Sequence, residues 1–181
     1  MLRTMHRRER AALVGGFALA GLAATGVLTS RAPPETIGAA QVIDGDSLDV
    51  AGVEVRLYGI DAPEFRQLCM HAGHPWRCGR AATRALAAIT RGREVRCRPR
   101  EKDRYGRTVA LCFVGDMDIG AAMVRAGQAV AYGAYDSEER EARVARRGIW
   151  AGSFEQPATW RAHHSRRTPG CRASLTPSGL A

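Results

Sequence analysis

Two short segments and one charged loop set acids and arginines where phosphoryl chemistry could use them. Asp44-Gly45-Asp46 lies between two apolar runs, and Arg56-Leu57-Tyr58-Gly59-Ile60-Asp61-Ala62-Pro63-Glu64 follows it. Asp46 and Asp61, at the ends of neighbouring strands, can make a hard-cation site of oxygen ligands. Pro63 turns the chain so that Glu64 can face back, and a carboxylate near water can act as a general base. The third segment, Asp103-Arg104-Tyr105-Gly106-Arg107, ends a stretch from Arg91 to Arg107 that holds eight cations against three acids. Arginine forks suit phosphate oxygens, and a tyrosine among them suits a base ring. Each segment also has a plain reading. Asp-Gly is a favoured hairpin turn, Arg56 could make a surface ion pair, and a charge run is usually a solvated loop. The spacing of Asp44 and Asp46 does not fit an EF-hand loop.

The elements that must position these groups can be read from periodicity. Gln41 to Asp44, Ser47 to Val50 and Val53 to Ile60 read as a three-strand meander, with turns at Asp44-Gly45 and Ala51-Gly52. Gly79 to Thr90 is alanine-rich, with Ala82, Leu86 and Ile89 at helical spacing. Glu94 to Arg98 and Thr108 to Val114 are two further strands. Asp118 to Ala126 opens on an Asp cap and stops at Gly127, a second helix. Asp136 to Arg147 is a third, with Asp136 as cap, acids in its first turn and arginines in its last. Five short strands and three helices predict an α+β, mainly β, domain built on a five-stranded OB-type barrel.

The ends differ from this domain in composition. The chain has 181 residues and a formal net charge of +9, with 27 Lys+Arg against 18 Asp+Glu. Lys102 is its one lysine. Residues 1–10 hold four arginines and one glutamate, and 161–181 hold four arginines and no acid. Residues 36–160 carry 18 cations and 16 acids, so the global charge is weak evidence for a nucleic-acid partner. Ala11 to Thr29 is free of charge and follows the basic flank. Residues 1–30 therefore read as a signal-anchor or signal peptide, an N-terminal hydrophobic helix that would place the rest outside the cytoplasm. Residues 31–36 read as a linker with Pro33-Pro34, 37–160 as the domain, and 161–181 as a disordered basic tail.

The pieces VIDGDS at 42–47, RLYGIDAPE at 56–64, DRYGR at 103–107 and MVRAGQAVAY at 123–132, with GIW at 148–150, occur in order. Together they resemble the staphylococcal nuclease (thermonuclease) family over roughly residues 37 to 152. The resemblance implies the barrel with three helices and a calcium-dependent phosphodiesterase acting on DNA and RNA, single strands or frayed duplex, with little sequence preference. It implies Asp46, Asp61 and the Ala62 carbonyl as Ca2+ ligands, and Arg56, Glu64 and Arg107 as catalytic residues. Arg104, Tyr105 and Tyr132 fall where the family contacts nucleotide; Tyr135 lies where the spacing departs from it. A non-catalytic nucleic-acid-binding barrel and an envelope protein-interaction domain are the alternatives. No obligate protein partner is implied, and the expectation is a monomer, anchored in or secreted across the membrane.

Between Glu64 and Gly79 the sequence leaves that pattern. Cys69, His71, His74 and Cys78 have the residue types of a zinc site, but an exported chain favours a Cys69–Cys78 disulfide. Cys97 and Cys112 lie on strands joined by a hairpin and can bridge or remain buried thiols. Cys171 is left over.

Overall fold

A computed structural model describes residues 33–165. The expected N-terminal hydrophobic helix, most of the basic tail and Cys171 lie outside the described residues. Among those described, no helix is long and apolar enough to cross a membrane.

The barrel strands are β1 (Thr36–Val42), β2 (Ser47–Val50) and β3 (Val53–Leu57), a meander as the alternation predicts. Ala51 and Gly52 make its second turn with φ of 51° and 83°, the left-handed pair that a two-residue hairpin needs. After β3 come β4 (Ile60–Asp61), then a hairpin of β5 (Cys69–His71) and β6 (His74–Trp76), then α1 (Cys78–Thr90). The two long strands β7 (Glu94–Lys102) and β8 (Thr108–Val114) follow. The order β3-β2-β1-β7-β8 closes through a parallel β3–β8 pairing, giving the five-stranded barrel. The remaining elements are β9 (Met117–Asp118), α2 (Ile119–Arg125), β10 (Val130–Ala131), α3 (Asp136–Val144), a 3-10 turn at Gly148–Ala151, and α4 (Pro157–Ser165).

The barrel is filled by Leu48, Val50, Val55, Leu57 and Val95, and is closed by Leu86 of α1 with Ile119 and Met123 of α2. On α1 the buried residues Cys78, Ala82, Leu86 and Thr90 recur every fourth position, which makes one stripe of the helix face the barrel. Asp118 caps α2 by accepting from the Ala121 N–H at 3.0 Å. A second, smaller cluster of Cys69, Cys78, Val130 and Ile149 is covered by Trp76, Trp150 and Phe154. The expected Cys69–Cys78 bridge is formed, and Cys97 and Cys112 bridge instead of remaining buried thiols. That removes the zinc reading of Cys69, His71, His74 and Cys78, because a disulfide sulfur has no thiolate to offer.

Several boundaries differ from expectation. Strand β1 begins at Thr36, inside the expected linker, because residues 36–39 pair with β7. Strand β7 runs on to Lys102 through a register shift between Pro99 and Glu101, so the predicted loop shrinks to its DRYGR end. Helix α3 ends at Val144, and its N-cap is Tyr135 at φ 67°, with Asp136 in the first turn instead. A fourth helix, α4, runs through the expected domain end at residue 160. Its contacts are largely polar, and apolar content therefore gave no sign of it.

Candidate functional site

All nine residues expected at the site line one cleft of about 1200 Å³. Asp46 is supplied by the β1–β2 turn, where Asp44 Oδ1 accepts from the Asp46 N–H at 3.0 Å and fixes the bend. Gly45 lets this turn lie flat on its neighbours, since a Cβ there would come within 2.7 Å of the Ala62 Cβ. Arg56 reaches up from β3 and spans two acids. Its Nη1 donates to Asp46 Oδ1 at 2.8 Å and its Nη2 to Asp61 Oδ1 at 2.9 Å. The Ala62 N–H donates to the other oxygen of Asp46 at 3.0 Å. Both aspartates are buried, each 4% exposed as a whole residue. Burial, the largest effect, pushes the Asp46 carboxyl up to about 6, with Arg56 opposing it and Asp44 and Asp61 adding to the rise.

Glu64 stands on a turn held from three sides. The Gln67 N–H donates to the Glu64 carbonyl at 2.6 Å, and the Glu64 N–H donates to Gln67 Oε1 at 3.1 Å. Helix α1 begins directly beneath, where a Cβ on Gly79 would sit 1.8 Å from the Glu64 carbonyl oxygen, so only glycine permits the approach. The Cys69–Cys78 disulfide ties the two ends of the following hairpin to the same place.

The opposite wall is the β7–β8 turn. Asp103 organises it by accepting from the Tyr105 and Arg107 N–H groups at 2.8 and 3.0 Å and from Arg107 Nε at 2.8 Å. Burial, the largest single effect, disfavours the charge on Arg107, but the Asp103 hydrogen bond and the negative charges of Asp103, Glu54 and Asp46 together outweigh it and hold the guanidinium above its ordinary pKa. The exposed Tyr105 ring carries Arg104 at 4.8 Å and Arg107 at 5.6 Å from its centroid. Tyr132 is 73% exposed at the cleft edge, an available apolar face. Tyr135 is not part of the lining. Its hydroxyl donates to Asp118 at 2.9 Å, and burial with that carboxylate raises its pKa.

The cations beyond the cleft are ordered along the outer face of β7. Arg96 and Arg98 lie 5.7 and 5.4 Å from the Phe113 ring centroid, and Arg100 lies 5.5 Å from that of Tyr58, a cleft residue. Four of the eight cations, Arg96, Arg98, Arg100 and Lys102, therefore lie on a strand that leads to the cleft, three of them backed by aromatic rings.

Sequence reasoning missed Gln67 and Arg161. Gln67 is fully buried and joins the Glu64 turn to the chain entering α4, its Nε2 donating to the Glu155 carbonyl at 2.6 Å. Arg161 projects from α4 onto the acids. Its Nη1 donates to Asp61 Oδ1 at 2.9 Å and Glu64 Oε1 at 2.8 Å, and its Nη2 to Asp61 Oδ2 at 2.9 Å. Those bonds, Asp61 first, hold Arg161 above the ordinary arginine value against a smaller cost of burial. No motif marks Arg161, which sits in a segment whose composition resembles a tail. Gln67 lies where the sequence leaves the expected pattern.

The donor set fits a hard divalent cation. Two desolvated carboxylates open to a wet cleft offer oxygen and no sulfur or nitrogen. Among the described residues no group of three or more His, Cys, Asp or Glu forms a metal cage, so main-chain oxygen and water would have to complete the shell.

Residues 54–152 match the family model described as staphylococcal nuclease homologue. The chain is 37% identical over 143 residues to a succinoglycan biosynthesis protein, ExoI, of Rhizobium meliloti (strain 1021), covering 75% of each chain. It is 36% identical to Protein ParB of Escherichia coli over 90% of this chain and 98% of that one. It is 34% identical to a micrococcal nuclease of Shigella flexneri over 67% of this chain and 77% of that one. With the barrel, the ordered motifs and the gathered acids and arginines, these matches show that the chain belongs to the staphylococcal nuclease family.

Proposed function

We propose that the protein is a calcium-dependent nuclease that hydrolyses phosphodiester bonds of DNA and RNA with little sequence preference. The observation that carries this reading is the convergence of Asp46, Asp61, Glu64, Arg56 and Arg107 on one cleft. Ca2+ held by Asp46, Asp61 and the Ala62 carbonyl would supply positive charge beside the scissile phosphate. Arg56, fixed between the two acids, keeps a guanidinium at the cleft floor, where charge on a five-coordinate phosphorus would build. Arg107 offers a second from the opposite wall. Glu64, partly exposed, can accept a proton from attacking water, while Gln67 holds its backbone. Attack forms the new P–O bond with the water oxygen, Glu64 takes the water's proton, and the leaving sugar oxygen departs with a proton from solvent.

Tyr105 and Tyr132 present exposed rings for unpaired bases, and Arg104 stands beside Tyr105 for a phosphate. Stacking on aromatic faces tolerates any base, which suits low sequence preference. The β7 arginines would track the strand leaving the cleft, so tight binding should weaken with salt. Two disulfides favour an oxidising compartment, and export through residues 1–30 is consistent with them. The relative named micrococcal nuclease supports the enzyme, whereas ExoI and ParB bear names that specify no cleavage. Incubating purified protein with single-stranded oligonucleotides, plasmid and RNA tests the reading. Cleavage with Ca2+ that stops on chelation supports it, and cleavage unaffected by chelator overturns the calcium assignment.

A further inference from the structure

Helix α4 lies beyond the segment that matches the family model, yet it delivers a cation into the cleft. The chain leading into it is pinned at three points. Met70 and Ser153 exchange backbone hydrogen bonds at 2.8 and 3.0 Å, Gln67 holds the Glu155 carbonyl, and His163 of α4 contacts the Glu155 carboxylate at 2.5 Å. That tether aims the helix at the acids. Arg161 then engages both oxygens of Asp61 and one of Glu64. Asp61 Oδ1 already accepts from Arg56, so guanidinium groups engage both oxygens of the Asp61 carboxylate. A hard cation needs lone pairs from the same oxygens, and two positive charges on one carboxylate in a desolvated corner repel. The same guanidinium competes with water for the engaged Glu64 oxygen. The Arg161 side chain is 41% exposed while that of Asp61 is 5% exposed, so the arginine, not the acid, has somewhere to go.

We propose that Arg161 determines the cation affinity of this site: its guanidinium and a divalent cation compete for Asp61, so cation binding releases the Arg161 end of α4. The proposal rests on the calcium reading above. Docked, Arg161 occupies a cation position and ties up one Glu64 oxygen; displaced, it releases its hold on both acids. By linkage, whatever free energy holds Arg161 on the acids is subtracted from calcium binding.

Isothermal titration of the full chain with CaCl2, without nucleic acid, tests this. Arg161→Gln keeps a side chain of similar length and removes the charge. The variant should bind Ca2+ about tenfold more tightly, the size expected for losing a partly exposed charge-assisted contact. Equal or weaker binding by Arg161→Gln overturns the proposal. A second readout needs no substitution: hydrogen exchange of the amides of residues 157–165 in the wild-type chain. Exchange should quicken when Ca2+ is added and return when it is chelated. Unchanged or slower exchange in a chain that binds Ca2+ contradicts the competition. If neither form binds Ca2+, the calcium reading itself fails and this proposal falls with it. Binding of Ca2+ with no difference between the two forms sinks the role of Arg161 alone.

Discussion

Gln67→Met isolates the device that connects the Glu64 turn to the approach to α4. The side chain is fully buried, and its amide makes two hydrogen bonds, from the Glu64 N–H at 3.1 Å and to the Glu155 carbonyl at 2.6 Å. Methionine matches the volume, so the core stays filled while both backbone groups lose their partner. Leaving a buried polar group unmatched costs about 1–3 kcal/mol, so two of them put the loss at roughly 2–6 kcal/mol, with the lower half expected where water can reach either group. Denaturant unfolding at fixed pH reads this directly. Function should divide in a specific way. Glu64 keeps the Gln67 main-chain bond to its carbonyl but loses the side-chain partner of its N–H, so kcat for a short oligonucleotide should drop by about tenfold to a hundredfold, as expected for loosened catalytic geometry. KM should change little, because Tyr105, Tyr132 and Arg104 do not touch Gln67. Gln67→Glu is the companion: it keeps an acceptor for the Glu64 N–H but sets a carboxylate against the Glu155 carbonyl. It should destabilise the chain and disturb α4 while retaining more kcat than Gln67→Met. A Gln67→Met protein with wild-type stability and wild-type kcat would refute the reasoning.

Three other outcomes are expected. Arg56→Gln leaves Asp46 and Asp61 facing each other without their shared cation, and should cost roughly 2–4 kcal/mol at pH 8 and much less at pH 5; urea melts at the two pH values check it. Asp46 has a folded pKa of about 6, above its unfolded value, so in chelator its contribution to stability is complete below about pH 4 and lost as pH rises through 6. The change amounts to at most about 3 kcal/mol, and wild type should lose more stability than Asp46→Asn between pH 4.5 and 7.5 in thermal melts. Reducing the Cys97–Cys112 bridge, with a sequence separation of 15, should cost about 3 kcal/mol by loop entropy while leaving the cleft residues in place; a Cys97→Ala/Cys112→Ala protein should unfold at lower denaturant yet cleave at the wild-type rate below its transition.

The barrel was legible because local signals agreed with the fold: alternating apolar residues drew the meander and Asp118 capped its helix. The shared site was legible through the resemblance that the ordered motifs carry, with Asp46 and Asp61 at strand ends. The Cys69–Cys78 pair followed from chemistry and adjacency, whereas for Cys97 and Cys112 the sequence allows a bridge or buried thiols, and the pairing of their strands decides for the bridge. What escaped was held together by polar contacts between distant segments. Strand β1 gained its first residues from pairing with β7, a partner more than fifty positions away. Helix α4 has few apolar residues and gets its place from Gln67, Met70 and the acids it touches. Arg161 meets Asp61 across a sequence separation of 100, and no local pattern encodes that meeting. Tyr135, which resembles a nucleotide contact by neighbourhood, is turned inward by its hydrogen bond to Asp118.

The central claim is that Glu64 handles the proton of an attacking water in a cleft whose other residues bind the strand. Cleavage of a fluorescent oligonucleotide by Glu64→Gln in excess Ca2+, alongside its anisotropy-measured affinity, tests that claim most directly. The account predicts cleavage reduced by about a hundredfold or more with affinity close to wild type. Cleavage at the wild-type rate would contradict it.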